Sequence, residues 1–334
     1  MSKALLTITS SVSFIIGSII GAGFISGREI LSFFCGDLSF STLFETLLIF
    51  VIGIFVVANL RENNNFNVIF LKLVSLFNIV ISACMLSALD SLFCDVLRLT
   101  ENVKIIRIIS LILTIFITSN GIDFISKISL FFMPFAIILC AVIIIANCDF
   151  KTFYIPLYPH GFKGGILSSS YVGMNVFMSM SVIFSICKGK SKKIKFCISV
   201  VTSAVICFLI FIISVALRGA NATFGMPLLS ILSDNVLSYG IFCVLIFLGI
   251  FSTLISSFYS SLTITKKRNL SKTLIISSIC FALSFLKFEF IVDKIYPFIG
   301  FFGIIFVFFN CFSQFFFQAL PRERTFLRRE RIRS

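Results

Sequence analysis

The chain has 334 residues, of which 58% are hydrophobic and only 13% are charged, and its formal net charge is +14 at pH 7. Soluble globular proteins are about half apolar and about a quarter charged, so this composition excludes that class and indicates an integral membrane protein. At about 20 apolar residues per helical span, the chain has length for roughly ten spans. We therefore expect a single membrane domain over 1–334, embedded in a lipid bilayer.

Long apolar runs with few charges follow one another along the chain. They predict an all-α protein of about ten transmembrane helices, at about 5–34, 42–60, 68–92, 103–119, 124–147, 165–187, 194–217, 236–264, 272–288 and 291–318. Five spans then make up a first repeat at about 5–147, and five more make up a second at about 165–318. A basic tail, 319–334, completes the chain.

Most of the 28 Lys and Arg residues fall in the tail and in connections on one predicted side of the membrane. Basic residues in short loops stay on the cytoplasmic side, so both termini are expected in the cytoplasm of a multi-pass plasma-membrane protein. The net positive charge is then an orientation signal, and the tail is expected to contact anionic lipid headgroups rather than nucleic acid.

The first apolar run is too long for a straight span. About 30 residues of ideal helix reach about 45 Å, against a hydrocarbon core of about 30 Å. Its middle contains Gly17, Gly21, Gly23 and Gly27, followed by the adjacent charges Arg28 and Glu29. The glycines fit either an unwound substrate site or close helix packing of the Gly-x-x-x-Gly type. Ionisable residues within a span favour a pathway, a relay or a paired gate.

Polar residues also interrupt the sixth and eighth runs. The sixth contains Ser168–Ser170 followed by Tyr171, Gly173, Met174 and Asn175. Because interrupted segments at equivalent places in two repeats indicate a transporter binding site, we predict breaks in helices 1 and 6 of a 5+5 inverted repeat. On the eighth run six hydroxyls share one helical face, which fits either helix association or a ligand role: Ser252, Thr253, Ser256, Ser257, Ser260 and Ser261.

The segment from Ile19 to Ile30, IIGAGFISGREI, resembles the GAGFASG(R/Q)E signature of the uncharacterised bacterial YkvI-like membrane proteins. These are distant members of the amino acid–polyamine–organocation superfamily. The resemblance implies the inverted-repeat fold of the sodium-coupled leucine transporter in a bacterial membrane. It covers nearly the whole chain through the spacing of the spans, and it implies no particular substrate.

Carried over residue by residue, the resemblance implies a substrate site at the first-span break, Gly21, Ala22 and Gly23, and at the sixth-span segment from Tyr171 to Asn175. It implies a candidate Na⁺ site at the carbonyls of Gly17 and Ile20 and the hydroxyls of Ser252 and Thr253. It also implies an outer gate between Arg28 and Asp293. In a proton-coupled relative, Glu29 or Glu45 carries the proton instead.

These features together predict a secondary transporter that moves a small amino-acid-like solute by alternating access, with Na⁺ or H⁺ as coupling ion and no other cofactor. An enzyme is not expected, because the sequence contains no H-E-x-x-H zinc motif, no phosphate loop and a single His. The alternative is a non-transporting receptor or complex subunit on the same scaffold. Substrate, direction of transport and oligomeric state stay open at this stage.

Overall fold

The structure is a computed structural model that describes residues 3–34, 38–60, 65–96, 103–147, 162–220, 225–232, 235–262 and 270–319. Every regular element within these ranges is helical, which confirms the predicted all-α class for this part of the chain. Buried apolar side chains from both halves form one continuous hydrophobic core. The predicted basic tail lies outside the described residues from position 320 onward.

The first half of the chain begins with three helices that together occupy the predicted first span, and four more follow. They are α1 (Lys3–Ile19), α2 (Ala22–Ile25), α3 (Arg28–Phe34), α4 (Phe40–Ala58), α5 (Asn65–Asp90), α6 (Val103–Ser119) and α7 (Ile122–Asn147). The start of α4 is fixed by a capping box, in which the Ser39 hydroxyl accepts from the Thr42 N–H at 3.1 Å. A π-helical turn, Ser91–Val96, extends α5.

The second half contains eight α-helices in the described ranges: α8 (Phe162–Met178), α9 (Met180–Cys187), α10 (Lys192–Ala216), α11 (Pro227–Ile231), α12 (Val236–Leu262), α13 (Leu270–Leu283), α14 (Phe288–Phe290) and α15 (Tyr296–Ala319). A short 3₁₀ helix, Leu217–Gly219, follows α10. A π-helical turn, Ile291–Ile295, joins α14 to α15. The short α11 begins at Pro227, whose fixed φ and missing N–H suit the first position of a helix.

Six of the described helices are long and apolar enough to cross a membrane. A seventh crossing is formed if the pair Gly164–Met178 and Met180–Cys187, bent by 56°, acts as one span. Three shorter apolar helices are Leu5–Ile19, Ile105–Ser119 and Leu270–Leu283. Large apolar side chains stand exposed on the outside of the bundle, such as Phe116, Phe131 and Phe308. An exposed apolar surface of this kind fits a protein whose solvent is lipid.

The first span is broken between α1 and α2. Gly21 adopts an extended conformation (φ −105°, ψ −167°), and its N–H donates to the Ile19 carbonyl at 3.1 Å. In a continuous helix that N–H would bond to Gly17, so the break releases the Gly17 carbonyl. A second interruption, at Ser26 and Gly27, separates α2 from α3, and Gly27 has the left-handed φ of +81° that favours glycine.

The sixth span departs from the prediction. Helix α8 is continuous through Tyr171–Asn175, so the break expected there is wrong, and the bend lies later, at Ser179. The reason is the packing of α8 against α15, the most extensive helix contact in the described bundle. A Cβ on Gly173 would lie 2.7 Å from both the Gly300 carbonyl oxygen and the Ile304 nitrogen. The backbone of α8 at Gly173 thus lies directly against the backbone of α15, and this part of α8 has no space in which to unwind.

A buried cation joins three helices at one end of the bundle. Arg107 of α6 is 6% exposed and pairs with Asp90 at the end of α5. Its guanidinium also donates to the Ser284 hydroxyl at 3.0 Å, just beyond α13, and lies 5.0 Å from the Phe285 ring centre. Because each acceptor belongs to a different segment, this one side chain fixes the ends of α5, α6 and α13 together.

Candidate functional site

The two interruptions face each other in the middle of the bundle. The Ser18 hydroxyl, just before the break of the first span, donates to the Ser179 hydroxyl at the bend between α8 and α9, at 3.0 Å. Helical backbone that is interrupted inside a membrane must have its freed polar groups satisfied by protein, ligand or water. The surroundings of the two breaks therefore define the candidate site.

At the bend, the freed carbonyl is capped from α5. The side-chain amide of Asn78, which is 2% exposed, donates to the Met178 carbonyl at 3.0 Å and to the Val74 carbonyl of its own helix at 2.9 Å. One turn further along α5, the Ser82 hydroxyl lies 2.9 Å from the Ser257 hydroxyl of α12. This face of α5 thus ties the bend of the sixth span to the hydroxyl face of α12.

We predict that Asn78→Leu destabilises the protein by about 1–2 kcal/mol, because it leaves the Met178 carbonyl without its donor in a dry interior. The measurement is thermal unfolding in detergent, followed by circular dichroism. Asn310→Leu is the matched control, since the Asn310 amide donates at 3.0 Å to the Phe306 carbonyl of its own helix. Equal losses for both variants would contradict a special role for the bend.

At the break of the first span, the freed carbonyl is met by α12. The Gly17 carbonyl accepts from the Ser252 hydroxyl at 2.9 Å and from the Thr253 hydroxyl at 3.4 Å. A Cβ on Gly17 would lie 2.6 Å from the Ser252 hydroxyl oxygen, and one on Gly21 would lie 3.0 Å from that of Thr253. The missing side chains of these two glycines therefore let α12 approach the first span closely.

The structure thus brings together the oxygens of Gly17, Ser252 and Thr253, three of the residues expected at the candidate Na⁺ site. Ile20, the fourth, lies at the same break and is 3% exposed. Carbonyl and hydroxyl oxygens are hard ligands that suit such a cation in chemical type. Here the two hydroxyls donate to the Gly17 carbonyl.

Arg28 and Asp293 form the expected pair. The Arg28 Nε donates to one carboxylate oxygen of Asp293 at 3.3 Å, and Nη2 pairs with the other, so the contact is a two-pronged fork. The Ser32 hydroxyl adds a third bond to Asp293 at 2.8 Å. The side chains are 15% and 34% exposed, so the pair lies nearer the surface of the bundle than the buried Glu29. It links α3 to the π-helical turn before α15.

Helix α11 covers the second interruption of the first span. The Leu228 N–H donates to the Ser26 carbonyl at 3.0 Å. A Cβ on Gly27 would lie 3.0 Å from the Cγ of Leu228 and 2.8 Å from a methyl carbon of Leu217. The connection between α10 and α12 is therefore seated directly on the junction of α2 and α3, beside the ion pair.

Glu29, the residue after Arg28, points to a different neighbour. Its side chain is 3% exposed and its Oε2 has no hydrogen-bond partner among the described residues. The same is true of the hydroxyl of Tyr171, which is fully buried beside Glu29. The carboxyl lies against the first-span backbone, because a Cβ on Gly23 would overlap it.

Some of the other predicted site residues lie beside the two helix breaks at Gly21 and Ser179, and others lie farther away. Ala22 is fully buried at the first-span break, and Met174 is 3% exposed on α8. The Asn175 amide donates to the Tyr171 carbonyl of its own helix at 3.0 Å. Glu45 of α4 lies apart from this group and accepts from the Ser169 hydroxyl at 3.1 Å. Gly173 faces α15, so its role is close packing rather than a place at the centre.

Several residues of the centre were not predicted. Four residues that the sequence did not single out make contacts that join the two breaks, α5 and α12: Ser18, Ser179, Asn78 and Ser82. In addition, the Tyr296 hydroxyl donates to the Cys84 sulfur at 3.5 Å. Asn78 and Ser82 are four residues apart in an apolar run, a spacing that places two polar groups on one helix face. That signal was available in the sequence, whereas the bend at Ser179 has no nearby Gly or Pro to indicate it.

Comparison with family models and with curated proteins finds no match to this chain. The function must therefore be argued from the geometry.

Proposed function

We propose that this protein is a secondary active transporter that moves a small amino-acid-like organic solute across the membrane by alternating access. The observation that carries the proposal is the meeting of two interrupted helices, at Gly21 and at Ser179, in the centre of the bundle beside a hydroxyl-rich α12. Interrupted backbone at such a depth is tolerated where it serves a binding site or cavity, and paired interruptions are typical of transporters.

The finer architecture belongs to the same proposal. If the broken first span, the bent pair and the shorter helices α6 and α13 all cross the membrane, the count reaches the ten spans of a 5+5 inverted repeat. The repeats then have their interruptions in the first and sixth spans. With the N-terminus in the cytoplasm, the Arg28–Asp293 pair lies on the outer side. Membership of the YkvI-like group, on the residues from Ile19 to Ile30, is part of this proposal.

The substrate site we propose lies at Gly21, Ala22 and Gly23. The Gly21 N–H already donates to the Ile19 carbonyl, so a substrate carboxylate would bind at the N–H groups of Ala22 and Gly23, which begin the four-residue α2. The bend at Ser179 replaces Tyr171–Asn175 as the facing interruption in the sixth span. The coupling ion is Na⁺ at Gly17, Ser252 and Thr253, or H⁺ at an acidic residue.

The direct test is uptake of a panel of labelled amino acids into proteoliposomes, with an imposed Na⁺ or H⁺ gradient. Accumulation above empty liposomes that depends on one gradient supports secondary transport and names the ion. Binding without accumulation under either gradient overturns it in favour of a receptor or complex subunit. Neither binding nor accumulation across the panel overturns the amino-acid class.

If Na⁺ is the coupling ion, the double variant Ser252→Ala, Thr253→Val should weaken the apparent Na⁺ affinity about tenfold or more, because it removes two oxygen ligands. A tenfold loss of affinity corresponds to about 1.4 kcal/mol of binding free energy. The measurement is Na⁺-dependent uptake in the same proteoliposomes. Ser256→Ala is the matched control, because that hydroxyl donates at 3.0 Å to the Thr253 carbonyl of its own helix. An unchanged Na⁺ dependence in the double variant would remove these hydroxyls from the site.

A further inference from the structure

The buried pair of Glu29 and Tyr171 lacks something that would complete its hydrogen bonding. Glu29 Oε2 and the Tyr171 hydroxyl are both enclosed beside each other, and within the described part of the chain neither makes a hydrogen bond of good geometry. Leaving a buried polar group without a hydrogen-bond partner is unfavourable, and more so when the group is charged. Two neighbouring groups in this state indicate that a proton is shared or held here.

The surroundings of Glu29 supply no compensating positive charge in the described structure. The titratable groups close to it are Tyr171 on α8, Tyr296 on α15 and Cys84 on α5, and Cys207 on α10 is close to Tyr171. All four are ordinarily neutral at pH 7. The adjacent Arg28 directs its guanidinium to Asp293. An ionised carboxylate without a neighbouring positive charge is strongly disfavoured in such a place, so a buried acid takes up a proton instead.

The site has no room for a larger cation. The Glu29 carboxyl lies against Gly23, where even an added Cβ would come within 2.7 Å of its Cγ. On the other side, the Tyr171 ring is enclosed by Phe33, Phe34 and Phe50, with ring centres 5.3, 5.3 and 6.3 Å away. This close packing around the pair favours a bound proton over a metal ion at Glu29.

The helix that carries Glu29 has both a hinge and space to move. Helix α3 is joined to α2 through Ser26 and the left-handed Gly27. It packs on α8, and it also borders a cavity of about 290 Å³ between α3 and the end of α10, lined by residues such as Ile30, Leu31 and Ser214. Packed interiors move as units into free space rather than deform, so α3 can swing toward this cavity.

We propose that Glu29 is the proton-carrying group of this transporter, protonated while α3 packs on α8 and ionised once α3 swings away and exposes it to water. The step is simple: the carboxylate takes one H⁺ from water on the side of the ion pair, α3 closes over it, and the proton returns to water when Glu29 is next exposed. The closed packing is therefore favoured at low pH and weakened as the pH rises. This inference rests on the proposed transport function.

The test is infrared spectroscopy of the reconstituted protein without any substrate, so a failure to find a transported solute leaves its result intact. We expect the wild type at pH 7 to show the C=O stretching band of a protonated carboxyl group, and Glu29→Gln to lose it. The matched control, Glu45→Gln, should keep the band, since Glu45 is half-buried on α4. Tyr171→Phe removes the hydroxyl beside the Glu29 carboxyl and should therefore shift the frequency of the band. That shift assigns the band to Glu29 even if Glu29→Gln fails to fold.

The link to opening is tested in the double variant Arg28→Gln, Asp293→Asn, which removes both charges of the ion pair. Opening α3 exposes Glu29 to water, where an ordinary carboxyl is ionised at neutral pH, so the band should lose most of its area at pH 7 and return on acidification. A wild type without the band, or a Glu29→Gln variant that keeps it, overturns the assignment. An unchanged band in the double variant overturns its coupling to α3.

Discussion

Gly303→Ala should prevent α8 and α15 from packing and should cost about 3 kcal/mol or more. An added Cβ at Gly303 would overlap the carbonyl group of Gly173, and one at Gly300 would overlap Ser170. Overpacking typically costs about 1–3 kcal/mol when side chains can adjust. At Gly303 the added methyl group meets backbone atoms of α8, which cannot rotate away as a side chain can. The two helices must therefore move apart, which opens the largest helix interface of the described bundle.

The measurement is the yield of monodisperse protein on size-exclusion chromatography, together with the melting temperature in detergent. Gly240→Ala on α12 is the control, because an added Cβ there meets no atom within 4 Å. Alanine is the better helix former by about 1 kcal/mol, so this control should be neutral or slightly stabilising. Equal melting temperatures for the two variants would refute the close approach of α8 and α15.

This interface also explains which part of the site was predictable. The expected break at Gly21 coincides with a glycine. Its extended backbone is open to any residue, and the missing side chain instead lets Thr253 of α12 approach, since a Cβ there would lie 3.0 Å from the Thr253 hydroxyl oxygen. The sixth span also contains a glycine among hydroxyls, and the same reasoning placed a break at Tyr171–Asn175. Glycine serves close packing as well as unwinding, and only the partner decides between them. At Gly173 the partner is the backbone of α15, which a single sequence does not identify.

The bend at Ser179 is an effect of tertiary contacts. No Gly or Pro lies beside it, and the freed carbonyl of Met178 is stabilised by Asn78, about a hundred residues earlier in the chain. Local sequence signals report local conformational cost, so they do not detect a bend that is stabilised from another helix. Hydropathy located the apolar helices better than these local signals located the bend. In lipid, the backbone of an apolar segment must form its own hydrogen bonds, so the segment is helical whatever its neighbours are.

The two charges of the first span show a similar contrast. Successive residues on a helix are separated by about 100°, so Arg28 and Glu29 cannot face the same neighbour. The pairing of Arg28 with Asp293 followed from a resemblance, and the structure brings the two groups together. Nothing in the spacing indicated that Glu29 turns inward toward Tyr171. Adjacent charges in a span therefore have different surroundings here, one in a partly exposed ion pair and one in the buried interior.

The ion pair yields the sharpest functional prediction. Arg28→Asp should expose the interior beneath the pair, and the exchange Arg28→Asp with Asp293→Arg should largely close it again. Cys84 provides the probe, because its sulfur is fully buried and accepts from Tyr296, which follows Asp293 by three residues. In a variant whose other cysteines are replaced, the rate of Cys84 modification by a charged thiol reagent reports opening.

A partly buried, two-pronged ion pair contributes about 1.4 kcal/mol, between the values for exposed pairs and for buried charged hydrogen bonds. Its loss should therefore raise the modification rate about tenfold, since the population of the open form changes by that factor. Ser32→Ala is the mild control, because it removes one hydrogen bond to Asp293 and leaves the charges in place. If Cys84 in the exchanged variant reacts as fast as in Arg28→Asp alone, then the attraction between these two charges does not keep the interior closed. Helix α11, whose Leu228 N–H donates to the Ser26 carbonyl, is then the next element to test.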